Sequence, residues 1–392
     1  DGGIMVVDPG VEADQIARLE AWRAARDGAA VARALADLRA AAREGRNIMP
    51  ASITCARAGV TTGEWSAEMR AVHGEYRGPT GVSSSPSNRT EGLDDLRAAV
   101  DAVSVCTSNH THYEIAKAAI HKGLPLLLEK PVAMDYTQAE ELSVLAKEHN
   151  VPNMIAFSYR FIPAVRFARW LTREGHLGKI LHIYGQYFQS WAISEELGLV
   201  WRFQKELSGS GTLGDLGSHL IDLTRFVVGE YDRVCAQAGT FVNKRKIIGT
   251  DDYGDVDVDD YCHFLAAMEG GAGAVFAVTR DAYGRGNYQR LEIYGTGGAL
   301  VYKMDENGDH DATIEVCIGD VYGEDRQFKT LHIPERFYSD QMQSFFDIIR
   351  HKGDHLAADI EDGRINQLIL DSIIQSSEDG KWIDIKGGTH HV

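Results

Sequence analysis

Residues 99–112 read AVDAVSVCTSNHTH. An Ala-rich helical end passes into a short apolar strand, and the strand finishes in a polar tip from Cys106 to His112. That pattern belongs in a nucleotide-binding sheet, where ligands sit at the carboxyl ends of parallel strands. Downstream come a helix from His112 to Lys122, the strand LPLLLEKP, a helix over 137–149 and the strand NMIAFSYR. Continuous apolar strands alternating with helices predict a parallel, doubly wound sheet. From about Lys179 the pattern becomes antiparallel, with ILHIYGQYF, RVCAQAGTFV, DDYCHFLAAME, GAVFAVTRD, QRLEIYGTGGALVYKM and TIEVCIG as long strands. A helix over 214–228 interrupts them, and helices over 339–351 and 362–376 follow.

Upstream of the quoted stretch the character differs. Residues 4–7 form a short apolar run that is read as one short strand. Apolar residues at three- and four-residue steps predict helices between Glu12 and Arg43, with Asp27 as an N-cap between two of them. Thr61 opens another short helix to about Val72, residues 78–92 are a Gly/Ser/Pro-rich linker, and a helix over 93–100 leads into the strand. The expected fold is α/β plus α+β: a helical N-terminal segment (1–92), a truncated Rossmann-type parallel sheet (93–158), and a domain with a large, mostly antiparallel open sheet (159–392).

Bulk properties narrow the function. The 392 residues are 44% hydrophobic and 25% charged, as in an ordinary globular protein. A formal net charge of −17 argues against nucleic acid or an anionic membrane as main partner and favours small-molecule chemistry. Five scattered cysteines without a C-x-x-C pair fit reduced thiols. With no long apolar span and no basic-then-apolar leader visible, a cytoplasmic location is expected. Usage also breaks along the chain: the first lysine is Lys117, and residues 1–100 hold 20 alanines against four isoleucines.

Three segments carry chemistry. The tip Thr107-Ser-Asn109-His-Thr-His112 either faces a cofactor or simply caps the next helix. In LLLEKPVAM (126–134), Glu129 and Lys130 end a buried run. A lysine beside desolvated surface can bind a substrate hydroxyl, although a lone lysine there is also unremarkable. In GSGTLGDLGSHLIDLTRF (209–226), the literal G-x-G-x-x-G is rejected as a dinucleotide fingerprint, because it opens a lone helix amid antiparallel strands. Asp215, His219 and Asp222 fall at i, i+4 and i+7 on one helical face. An Asp–His pair there suits proton transfer, since imidazole takes a hydroxyl proton near neutral pH. A structural helix face is the competing reading. A metal site lacks a third ligand nearby.

Together with Trp201-Arg202 and YGTGGAL (294–300), these segments resemble the glucose–fructose oxidoreductase/inositol dehydrogenase (Gfo/Idh/MocA) family over about 101–387. The resemblance implies NAD(P)-dependent hydride transfer at a hydroxyl-bearing carbon of a sugar or cyclitol. It implies Lys130, Asp215 and His219 as catalytic residues. Thr107, Asn109, His112, Glu129, Lys130 and Pro131 would line the cofactor pocket. Arg160, Trp201, Arg202, Asp222, Tyr283 and Arg285 would contact substrate. A homo-oligomer is expected by the same likeness.

Residues 1–103 instead resemble a linker of cobalamin-dependent, ethylmalonyl-CoA-type mutases, on VDPGVEADQIARLEAWRAARD, AAREGRNIMPASITCARAGVTTGEW and EYRGPTGVSSSPSNRTEGLDDLRAAVDAVS. The cobalamin motif D-x-H-x-x-G is absent, so mutase activity is not expected. In the order 3-2-1-4-5-6 the strands present would be 4, 5 and 6, without the Gly-rich turn that cradles a pyrophosphate. The expectation is an oxidoreductase impaired by loss of that half. The alternatives are a non-catalytic polyol-binding or oligomerising fold, or a fusion without activity.

Overall fold

The computed structural model describes residues 9–73, 101–305, 312–320 and 326–385. The chain divides into two compact units, Asp1–Thr90 and Glu91–Val392. The expected strand at 4–7, the linker at 78–92 and the helix at 93–100 lie outside the described residues.

The first unit is helical. Helices α1 (Pro9–Ala25) and α2 (Gly28–Arg43) flank Asp27, whose carboxylate accepts the backbone N–H of Ala29 at 2.9 Å and of Ala30 at 3.1 Å. Helix α3 (Met49–Ala58) was not expected from the sequence. Its signals are Pro50 in the first turn and Gly59, which closes it at φ 83°. Helix α4 (Thr62–His73) starts in a capping box: Thr61 N donates to the Glu64 carboxylate at 2.9 Å, and Glu64 N donates to Thr61 Oγ1 at 3.3 Å. Leu38, Ala41, Ala51 and Cys55 fill a small core.

In the second unit β1 (Val103–Val105), β2 (Leu126–Leu128) and β3 (Asn153–Ile155) pair in parallel in that order. The connecting helices are α5 (His112–His121) and α6 (Tyr136–Glu148). Leu126, Leu128, Ile120, Leu142 and Ile155 make their core. Among the described residues β1 pairs with β2 alone. Helix α7 (Pro163–Arg173) then leads into β4 (Ile180–Phe188). This helix, too, was not foreseen.

A short helix α8 (Lys205–Ser208), a π-helical turn (Leu213–Gly217) and α9 (Ser218–Val227) precede β5 (Tyr231–Gly239). A small hairpin, β6 (Lys244–Lys246) and β7 (Tyr253–Asp255), comes next. Then follow β8 (Tyr261–Met268), β9 (Gly273–Thr279), β10 (Tyr288–Gly295), β11 (Gly298–Met304), β12 (Thr313–Ile318) and β13 (Lys329–Thr330). Helices α10 (Gln341–Ile349) and α11 (Ile360–Asp379) and strand β14 (Ile383–Asp384) complete the described fold.

The nine-stranded sheet runs β13-β12-β11-β10-β4-β9-β8-β5-β14. Its pairs are antiparallel except β4 with β9, which is parallel, so the sheet is mixed. Helices α7, α9 and α11 cover one face, burying Ile183, Phe276, Ile293, Leu220 and Ile369 in a common core. The other face stays open where Leu265, Val275 and Tyr184 stand side by side in register, each 44–46% exposed. Among the described residues no helix is long and apolar enough to cross a membrane. All five cysteines are free.

Candidate active site

The segment containing G-x-G-x-x-G folds around an acidic group, and that group, the Asp259 carboxyl, belongs to the chain. Gly211 N and Leu213 N each donate to the Asp259 carboxylate at 2.7 Å, and Thr212 N donates to its carbonyl at 2.9 Å. A Cβ on Gly211 would stand 2.0 Å from that carbonyl oxygen, so only glycine fits. Anchored this way, the π-helical turn carries Asp215 and runs on into α9, which carries His219. π-Turns are rare and concentrate at functional sites.

From the tip of β2, Lys130 Nζ reaches this turn. It donates to the Asp215 carbonyl at 2.7 Å and to its Oδ1 at 3.1 Å. The other carboxylate oxygen faces two further cations, Arg280 Nη1 at 3.9 Å and Arg202 Nε at 4.0 Å. Burial alone would raise the Asp215 carboxyl; Lys130, Arg280 and Arg202 outweigh it and hold the group below its ordinary range. His219 lies beside it, with the Tyr159 ring edge-on at 4.6 Å. Its Nδ1 is buried without a partner among the described residues. Burial and then the charge of Lys130 push the imidazole well below its usual range, so it is neutral at neutral pH.

A cavity of about 500 Å³ opens at the carboxyl ends of β1 and β2. Thr107, Asn109, Glu129, Lys130 and Pro131 line one side, and Trp201, Arg202, Asp215 and Arg280 the other. A second cavity of about 340 Å³, lined by Gln189, Trp191, Val200, Arg202 and Asp215, shares two of those walls. Asp215 therefore fronts both.

The remaining sequence candidates separate clearly. Asn109 is buried and donates from Nδ2 to Ser208 O at 2.8 Å, tying the β1 tip to α8. His112 does not line the cavity: it is fully buried, with one ring nitrogen 2.8 Å from Pro131 O and the other 3.0 Å from Thr107 O. It braces both loops from behind. Arg160 and Asp222 do not reach substrate space either. They are 5% and 2% exposed and form a buried ion pair with an N–O distance of 2.6 Å, which Asp362 joins at 3.0 Å. Tyr283 is 90% exposed on a turn, and Arg285 pairs with Asp305 at 2.9 Å; neither lines either of these two cavities.

Sequence reading missed Arg280, Asp259 and a polar wall beside His219. In that wall Tyr187 donates to Asn287 Oδ1 at 2.7 Å, and Gln189 Nε2 donates to the same atom at 2.9 Å. Tyr159 and Tyr187 share a hydroxyl contact at 2.7 Å. The one available signal was Arg280 at the end of the apolar run GAVFAVTRD, a cue of the kind that picked out Lys130. Among the described residues no cluster of metal-ligating side chains occurs.

Three family models match parts of the chain. A family model described as GFO/IDH/MocA C-terminal domain matches residues 165–301, and one described as oxidoreductase family, NAD-binding Rossmann fold, matches 61–157. A methylmalonyl-CoA mutase model matches residues 2–75. Levoglucosan dehydrogenase of Pseudarthrobacter phenanthrenivorans is 31% identical over 336 residues, covering 78% of this chain and 84% of that enzyme. A solved levoglucosan dehydrogenase in complex with NADH and L-sorbose superposes with a TM-score of 0.67 at 33% identity, covering 74% of this chain and 82% of that one. Ethylmalonyl-CoA mutase of Cereibacter sphaeroides is 62% identical over 120 residues, 31% of this chain but 18% of that enzyme.

Proposed function

The chain belongs to the Gfo/Idh/MocA oxidoreductase family, and on that premise we propose that it transfers a hydride between NAD or NADP and a hydroxyl-bearing carbon of a sugar or cyclitol. The observation that carries this reading is the contact of Lys130 with Asp215, one helical turn before His219, at the carboxyl ends of the parallel strands.

The cavity suits the nicotinamide end of such a cofactor. It lies where open α/β sheets bind nucleotides, and Thr107, Glu129 and Pro131 offer hydroxyl, carboxylate and apolar surface there. When bound, the nicotinamide supplies the hydride acceptor. His219, neutral beside Asp215, takes the substrate hydroxyl proton. Lys130 holds the hydroxyl oxygen, and Asp215 fixes Lys130 in that posture. The levoglucosan dehydrogenase relatives favour a neutral sugar or anhydrosugar as substrate.

The nucleotide-binding half is read as incomplete. No G-x-G-x-x-G precedes β1, and the chain there resembles a mutase. Without a Gly-rich turn the pyrophosphate lacks its backbone donors. Titration calorimetry should therefore find NAD(H) and NADP(H) binding weaker than micromolar; micromolar binding would overturn the truncation. Reduction of either cofactor by a panel of sugars and polyols, lost in His219→Ala, tests the reaction itself. If no sugar is oxidised and none binds, the functional reading fails. The open row of Leu265, Val275 and Tyr184 supports a homo-oligomer, which light scattering checks.

A further inference from the structure

Arg280 is fully buried, yet it carries a guanidinium whose Nε and Nη1 have no hydrogen-bond partner among the described residues. Buried guanidinium groups are normally satisfied by carboxylates or carbonyls. Here Nη2 donates to Asp259 O at 3.3 Å, and the group is held between the Trp191 and Phe203 rings, 5.2 and 5.3 Å from their centroids. The clamp leaves Nη1 pointing toward Asp215 Oδ2 at 3.9 Å.

We propose that Arg280 is a positioning residue that acts through Asp215: a clamped, buried cation that fixes the carboxylate on which Lys130 rests. The proposal rests on the functional reading above for its catalytic meaning, but not for its geometry. The groups facing Asp215 are Lys130 from the β2 tip, Arg202 from the turn at 201–203, Arg280 from the end of β9, and His219 and Tyr187 beside them. Lys130 and Arg202 are partly solvent-exposed, at 13% and 45%, whereas Arg280 is not exposed at all. Its charge is thus the least screened of the three. Its side chain is closed to solvent although it contributes to the cavity wall, so its effect reaches the site through Asp215 and the Lys130 that Asp215 holds.

The test reads the Asp215 carboxyl directly. Protein labelled with carboxyl-¹³C aspartate is titrated by NMR, and the Asp215 signal is the one missing from Asp215→Asn. Arg280→Gln should raise its titration by about 1–3 pH units, the usual effect of removing an adjacent cation, whereas Arg280→Lys should keep it low. If the enzyme turns over, the acid limb of its pH–kcat profile should move by the same amount, while KM for the cofactor stays unchanged. An unmoved Asp215 titration in Arg280→Gln overturns the proposal. Should Arg280→Gln fail to fold, Phe203→Leu loosens the clamp with the cation retained; a smaller upward shift is then expected, and no shift is a refutation. An inactive protein with the expected titration would sink the functional reading and leave this one standing.

Discussion

Replacing Arg160 with leucine should destabilise the protein and leave the chemistry of the site intact. Arg160 donates to Asp222 at 2.6, 2.9 and 3.2 Å and to Asp362 at 3.0 Å, and its guanidinium carbon lies 5.0 Å from the Phe226 ring centroid. Burial pushes the Asp222 carboxyl up even against the pull of Arg160, so desolvation offsets much of the ion pair's attraction. Removing Arg160 leaves Asp222 buried and uncompensated, which costs about 3–5 kcal/mol. For a unit of this size that is a fall in Tm on the order of 10 °C. The pair as a whole is worth far less than its halves. Arg160→Leu combined with Asp222→Leu should therefore recover to within about 1–2 kcal/mol of the parent, because no lone charge remains. Urea denaturation of the parent, both single variants and the double variant gives the cycle. A single variant of unchanged stability that had lost sugar binding would refute this, and would return Arg160 to the substrate contacts.

Three further outcomes follow from the same packing. Lys130→Met and His219→Ala should each lower turnover about 10²–10⁴-fold, as loss of a proton-transfer group does, with Tm nearly unchanged; equal turnover in either variant would remove it from the chemistry. Asp281 has both carboxylate oxygens buried without partners among the described residues, and burial, reinforced by Asp260, pushes its carboxyl up to about 6. Its folded value exceeds its unfolded one, so the stability linked to the protonated form is full below about pH 4 and is lost as pH rises to about 6. Asp281→Asn should accordingly match the parent in Tm at acid pH and exceed it at neutral pH, and a constant difference would count against the assignment. Leu265→Glu puts a charge in the middle of the open sheet row and should lower the mass found by light scattering if that face joins copies of the chain.

The legible residues were those where chemistry interrupts a local pattern. Glu129 and Lys130 end an apolar run, and a polar tip follows β1, so neighbours in sequence sufficed. Arg160 and Asp222 were expected at the substrate from the family resemblance, and no local pattern told against it. A charge among apolar residues suggests a task, but here its partner stands 62 residues away, and a buried pair forms only when the fold brings the two together. The i, i+4, i+7 grouping of Asp215, His219 and Asp222 assumed one regular helix. The π-helical turn over 213–217 breaks that period, so Asp215 faces the cavity while Asp222 faces Arg160. The parallel pairing of β4 with β9 was invisible because strand order is not written in alternation. Alternation fixes only which face of a strand is buried.

The literal G-x-G-x-x-G shows how the same backbone chemistry can serve a different end. Consecutive N–H groups in a glycine-rich turn gather an anion whether it is a phosphate or a side chain. At 209–214 the place is taken by Asp259, so a nucleotide phosphate cannot use it. The Asp259 carbonyl in turn accepts from Arg280, Arg280 faces Asp215, and Asp215 binds Lys130. A turn that would hold a cofactor elsewhere in a sheet protein here anchors the wall opposite the cofactor's expected position. If so, Asp259→Ala should loosen the turn and reduce turnover through Asp215 without weakening cofactor binding. Loss of cofactor affinity with turnover per bound cofactor unchanged would place the turn on the nucleotide side after all.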